Sequence, residues 1–101
     1  MKVRFTPSAR EHFLSALAYI AADNPAAARR VRDCVEKGLA RLAKFPNSGK
    51  RIPEFPELVQ RELVVTPYRI FYRVENKVLW VVALWHGAQN PKRPSSTGGG
   101  A

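Results

Sequence analysis

Apolar residues recur at helical spacing through the first half of the chain and alternate at strand spacing through the second, which separates the elements. Lys2 to Phe5 alternates, with Val3 and Phe5 on one side, and predicts a short strand. Thr6 then offers a hydroxyl that can accept from a backbone N–H one turn on, and Pro7 suits the first helical position, where a missing N–H costs nothing. Phe13, Leu17 and Ile20, with Ala9 and Ala16 completing the stripe, give the helix that starts there one buried face, and Asp23 and Asn24 interrupt it. Asn24 and Pro25 repeat the cap signal, and Ala28, Val31, Val35, Leu39 and Leu42 form a second stripe. With almost no loop between them, the two helices are predicted to pack as an antiparallel αα-hairpin. Cys34 adjoins the second stripe and is expected as a small core residue. Gly38 costs about 1 kcal/mol relative to alanine inside a helix, so it is expected to permit a close approach to the first helix or to a sheet.

From Phe45 to Pro56 the chain reads FPNSGKRIPEFP, and its prolines and glycine predict an irregular loop. Leu58 to Thr66, Arg69 to Glu75 and Val78 to Trp85 are rich in β-branched and aromatic residues and are broken by Pro67 and by a turn at Glu75, Asn76 and Lys77. They predict a three-stranded antiparallel meander. Tyr72 and Trp80 are expected in the core, Trp80 on the parity of Val78, Val82 and Leu84. The order β-α-α-β-β-β defines an α+β fold of two layers, an antiparallel sheet covered on one face by the αα-hairpin. The opposite face needs a loop, the tail or a partner to cover it. One domain is expected over 1–90, followed by a tail, 91–101, of low apolar content that is expected to be disordered.

Composition adds one strong feature, a net charge of +9 from 17 Lys and Arg against 8 Asp and Glu. Such a field favours polyanions, whether RNA, DNA or an acidic protein. Apolar runs fall short of the roughly 18 to 20 residues that span a bilayer, and MKVRFTPSAR lacks the features of a secretory leader, so a cytoplasmic protein without membrane contact is expected. Cys34 stands alone, and with only His12 and His86 beside it neither a disulfide nor a structural zinc site is expected; no metal or cofactor is foreseen. His12, next to Phe13, is expected at the surface or its boundary.

Candidate chemistry gathers in the second half. In YRIFYRV, period two sets Arg69, Phe71 and Arg73 on one face, where an aromatic between two cations suits a phosphate backbone with a base to stack. Equally, these arginines can pair with Glu62 or Glu75 across the meander. RNA cleavage by the ribose 2′-OH requires a base, an acid and a cation at phosphorus, and Glu54, His86 and Arg69 can fill those roles if loop, central strand and strand end converge. Lys50, Arg51, Arg61 and Arg73 are candidate contacts to nucleic acid or another target. A glutamate in a proline-rich loop commonly faces solvent, and a histidine at a strand end is commonly a hydrogen-bonded structural residue. A directly DNA-binding regulator is disfavoured, because both helices are used to cover the sheet.

The segments FTPSAREHFLSALAYIAADNPAAARRV, GKRIPEFP, RELVVTPYRIFYRV and VVALWHG together resemble the RelE/ParE superfamily of type II toxins from Lys2 to Asn90. That resemblance implies a protein that arrests bacterial growth unless a cognate antitoxin, usually encoded beside it, binds an acidic or amphipathic segment against it. Two targets compete within the superfamily. RelE-like members cut messenger RNA on the ribosome as metal-independent endoribonucleases (mRNA interferases), whereas ParE-like members act on DNA gyrase and are not known as nucleases. YIAADNPAAA and the final HG look like the ParE branch. GKRIPE is similar to the loop of YoeB-like RNases, which implies Glu54 as general base, with Arg69 at the matching arginine and His86 where those enzymes place their acid. Gln60 and Glu62 stand where RelE-like enzymes carry lysines, Ala88 where an arginine follows the last strand, and Gly87 where YoeB-like enzymes have a tyrosine. Whether the chain is an enzyme stays open on sequence. Ribosome-dependent RNA cleavage is the leading expectation, with gyrase inhibition as the alternative.

Overall fold

The computed structural model describes residues 1–87 and 91. The residues 88–90 and 92–101, on which the domain's end and most of the expected tail fall, lie outside the described residues. Strand β1 (Lys2–Phe5) leads into helix α1 (Pro7–Asp23), whose first turn is capped by Thr6 Oγ1 accepting from the Ala9 N–H at 3.2 Å. Asn24 serves two helices at once. Its N–H donates to the Ile20 carbonyl and closes α1, while its Oδ1 accepts from the Ala27 N–H at 3.0 Å and opens helix α2 (Pro25–Lys44). Within the stretch expected to be wholly irregular, a 3₁₀ turn at Pro46–Ser48 and a short strand β2 (Lys50–Arg51) form. Strands β3 (Arg61–Val65), β4 (Tyr68–Glu75) and β5 (Val78–His86) follow. Asn76 and Lys77 both take positive φ, 52° and 61°, the conformation a two-residue hairpin between twisted strands requires.

The fold is the expected two-layer α+β arrangement, but the sheet is mixed and has five strands in the order β1-β5-β4-β3-β2. β1 runs parallel to β5, and the other pairs are antiparallel. The physical reason lies at Thr6, whose N–H donates to the Val81 carbonyl and so ties the start of α1 to the flank of β5. β5 would otherwise expose its backbone edge as the last strand of the meander.

Val35, Leu39 and Leu42 of α2 and Ala9 of α1 pack on Ile70, Tyr72, Leu79 and Val81 of the sheet, with Val3, Phe5, Phe13, Leu63 and Leu84 at the margin. Gly38 lies against Leu63 of β3, where a Cβ would come within 2.7 Å of a methyl, so its close approach is to the sheet. Two core expectations are corrected. Cys34 is exposed, because Val35 and Leu39 occupy the centre of the buried stripe. Trp80 turns away from the helices and only half buries itself, because Tyr72 pairs with Val81 while Phe71 pairs with Ala83. Val82 is the extra residue of a bulge, and it inverts the parity along β5, so that Leu79, Val81 and Leu84 share the helix side.

Residues directly opposite in the ladders share a face, so Glu62, Phe71 and Ala83 form one row on the side away from the helices, and Val64, Arg69 and Trp85 form the next. Phe71 is nonetheless fully buried. The loop after β2 folds back over this face, with Ile52 wholly buried and Phe55 and Leu58 half-buried. It therefore supplies the second cover that so small a sheet needs.

Candidate functional site

The returning loop, β3, β4 and the end of β5 enclose a cleft of about 540 Å³ whose walls include Lys50, Glu54, Glu62, Arg69 and His86. The three residues expected to carry RNA chemistry, Glu54, Arg69 and His86, thus border one cleft. Their bonding sets what they can do. Arg69 Nε and Nη2 donate to the two oxygens of Glu62 at 2.8 and 2.9 Å, and Nη1 and Nη2 donate to the two oxygens of Glu54 at 2.7 Å each. Both carboxylates are gripped in the bidentate manner for which a guanidinium is shaped. Glu62 has only 3% of its side chain exposed and Arg69 16%, whereas Glu54 keeps 40%.

The hydrogen bonds from Arg69 hold the Glu54 carboxyl down at about 2, against a smaller opposing effect of burial. Glu62 first and Glu54 second raise Arg69 still further above its ordinary value. A general base at neutral pH works best with a pKa near that pH, which Glu54 held at about 2 is far from. Arg69 is thereby engaged by two carboxylates, and a phosphate would have to displace one of them to reach its guanidinium. The alternative foreseen for Arg69, pairing with Glu62, is what the structure contains. Arg69 also lies 5.5 Å from the centre of the Phe71 ring, so part of the expected cation and aromatic arrangement is present, buried beneath the loop.

His86 pairs with Tyr68 in the ladder and sets its ring edge-on to the Tyr68 ring at 5.6 Å. Because Trp85 is opposite Arg69, His86 belongs to the alternate side of β5, at the rim of the cleft. Of the other candidate contacts, only Lys50 lines this cleft. Arg51 reaches the Pro56 carbonyl at 3.5 Å, and Arg61 donates to the Gly49 carbonyl at 3.0 Å. Arg73, 9% exposed, donates to Glu75, the other pairing foreseen in the sequence. Among the described residues no three His, Cys, Asp or Glu side chains gather into a group able to hold a metal ion, and no helix is long and apolar enough to cross a membrane.

Sequence reasoning missed a second concavity, of about 590 Å³, beside β1 and the start of α1. Arg4 and Arg10 border it, with Phe13, Leu14 and Trp80. The available signal was the sheet edge itself, since a first strand placed beside β5 must present one unpaired side.

An αα-hairpin laid on a mixed sheet, with an arginine clamp on the opposite face, makes the chain a small two-layer α+β domain. The same fold occurs in the solved structure titled "Chromosomal ParDE TA system from P. aeruginosa", with a TM-score of 0.67 and 20% identity over 85% of this chain and 95% of that one. No curated protein sequence matches. The family model described as the ParE toxin of the type II toxin-antitoxin system, parDE, matches residues 3–91, and the chain belongs to that family.

Proposed function

We propose that this protein is a growth-arresting toxin that inhibits DNA gyrase without cutting nucleic acid, and that a cognate protein antitoxin neutralises it. The carrying observation is the state of Arg69, whose guanidinium is committed to Glu62 and Glu54 and which holds the Glu54 carboxyl at about 2, far from the range of a general base at neutral pH. Membership of the ParE family supports the same reading, in preference to the ribosome-dependent RNase expected first. The net charge of +9 suits an acidic antitoxin, and the relative from P. aeruginosa comes from a toxin-antitoxin system. Gyrase and antitoxin would place its action in the bacterial cytoplasm.

Metal-independent RNA cleavage is the second reading, favoured by the shared cleft of Glu54, Arg69 and His86. It requires Arg69 to exchange a carboxylate for a phosphate. Two assays on the purified protein separate the readings: supercoiling of plasmid by gyrase, and integrity of messenger RNA on translating ribosomes. Loss of supercoiling with intact messenger is the expected result. Cut messenger with unimpaired gyrase would reverse the assignment.

A further inference from the structure

Helix α2 carries its apolar core residues on one side and an uncompensated row of positive charge on another. Arg30, Cys34, Lys37, Arg41 and Lys44 follow one another at alternating steps of four and three residues. That spacing sets them in a single row about 21 Å long, on the face turned from Val35, Leu39 and Leu42. All five are exposed. The acids of the helix stand beside the row, where Asp33 and Glu36 lie 3.8 and 3.9 Å from Arg32. Among the described residues the four cations of the row enter no ion pair.

A groove of about 540 Å³ runs between this row and β3, with Lys37 and Arg41 on the helix side and Leu63, Val64 and Val65 on the sheet side. No acidic residue lines it, and Gly38 leaves its inner wall without a side chain. A row of single charges with no aromatic or large apolar side chain on it suits a phosphate backbone, which requires only cations. A protein partner would need buried aromatic or apolar anchors instead.

From these observations we infer that the outer face of α2 binds the sugar-phosphate backbone of double-stranded DNA through Arg30, Lys37, Arg41 and Lys44, and so holds the toxin against the DNA on which gyrase works. The inference rests on the gyrase reading and adds a second contact to it. Contacts to phosphate fix position and carry no sequence information, so binding is independent of base sequence and requires no helix inserted in a groove. The +9 charge of the chain draws the duplex in, and the row decides where it settles.

The test uses the full chain and a DNA duplex of about 20 base pairs, with affinity followed by fluorescence anisotropy as salt is raised. Two triple variants remove the same charge from different places: Lys37→Ala, Arg41→Ala, Lys44→Ala on the row, and Lys2→Ala, Arg4→Ala, Arg10→Ala away from it. All six residues are exposed, and circular dichroism verifies that both variants fold. The row variant should bind about tenfold or more weakly at about 0.1 M salt, and its salt slope should fall by about one for each cation removed, with a smaller change in the other variant. Alkylation of Cys34 by iodoacetamide should slow about fivefold or more when DNA is bound. Equal weakening in both variants, or unchanged Cys34 alkylation in the complex, would overturn the surface in favour of the field of the whole molecule. No binding by the unaltered chain at low salt would also overturn it, while loss of gyrase supercoiling in the same preparation would keep the gyrase reading. DNA held on the row with supercoiling unimpaired would support the surface and remove gyrase as the target. An RNA duplex of equal length bound about tenfold more tightly would overturn the choice of DNA.

Discussion

Truncating Arg69 to alanine removes the guanidinium that both oxygens of Glu62 accept from and strands a carboxylate that is 3% exposed. Leaving a buried charge uncompensated costs about 3–5 kcal/mol, so Arg69→Ala should lower the stability measured by urea unfolding by that order. Adding Glu62→Leu should restore much of the loss, since a buried ion pair replaced by apolar groups is often neutral. A loss below about 1 kcal/mol, the usual size of a surface pair, would show that the clamp is incidental. Reduced toxicity of Arg69→Ala is therefore no evidence of catalysis. Glu54→Gln is the more telling change, because Glu54 is 40% exposed and its removal should cost only about 1 kcal/mol at neutral pH. Its pKa is lowered on folding, from an ordinary 4.5 to about 2, so its stabilising contribution is complete above about pH 4.5 and disappears as pH falls toward 2. Unfolding curves of the two proteins should differ at pH 6 and converge near pH 2. On the gyrase reading, Glu54→Gln and His86→Ala should keep nearly full toxicity. A loss of about 10²-fold or more in either folded variant would instead restore the nuclease.

At the scale of elements, two junctions carry more than their length suggests. Asn24 caps α2 with its side chain while its backbone closes α1, so Asn24→Ala should cost about 1 kcal/mol by thermal unfolding and leave the ladder contacts unaltered. Gly49 joins the 3₁₀ turn to β2 under the Tyr72 ring, and an added Cβ would lie 2.1 Å from the phenol oxygen. That phenol donates to the Pro46 carbonyl at 2.7 Å, and its burial raises the pKa. Gly49→Ala must therefore displace the tyrosine or the turn, with an expected cost of about 1–3 kcal/mol. A variant as stable as the unaltered chain would mean that the turn yields at no cost. The bulge at Val82 acts on a different property, the facing of β5, and places Trp85 rather than His86 opposite Arg69.

For the whole molecule, the +9 charge makes association with an acidic antitoxin sensitive to salt in a way that the folded core is not. Raising ionic strength from about 0.05 to 0.5 M should weaken the complex mainly through slower association, as charge steering is screened. An association rate independent of salt would mean that apolar contact alone joins the partners. Expression without a partner should arrest growth of a susceptible bacterium, and unchanged growth at confirmed folded expression would contradict the toxin reading.

Most of the element pattern was legible in the residues. Thr6-Pro7 and Asn24-Pro25 mark helix starts by local chemistry, the apolar stripes mark buried faces, and a turn was legible at Glu75, Asn76 and Lys77, although its left-handed backbone was not. The family resemblance was legible too, because its motifs are local strings. The candidate site was legible only in its parts. Glu54, Arg69, Glu62 and His86 could be named, but whether Arg69 serves a ligand or its own carboxylates depends on where a proline-rich loop returns across the sheet, which local spacing does not encode. The direction of β1 was decided by its pairing with β5, far along the chain, and the outward turn of Trp80 by a one-residue bulge in the register of β4 with β5. Periodicity reports which side of an element is apolar, whereas register, strand direction and ion-pair partners are set only when distant elements meet.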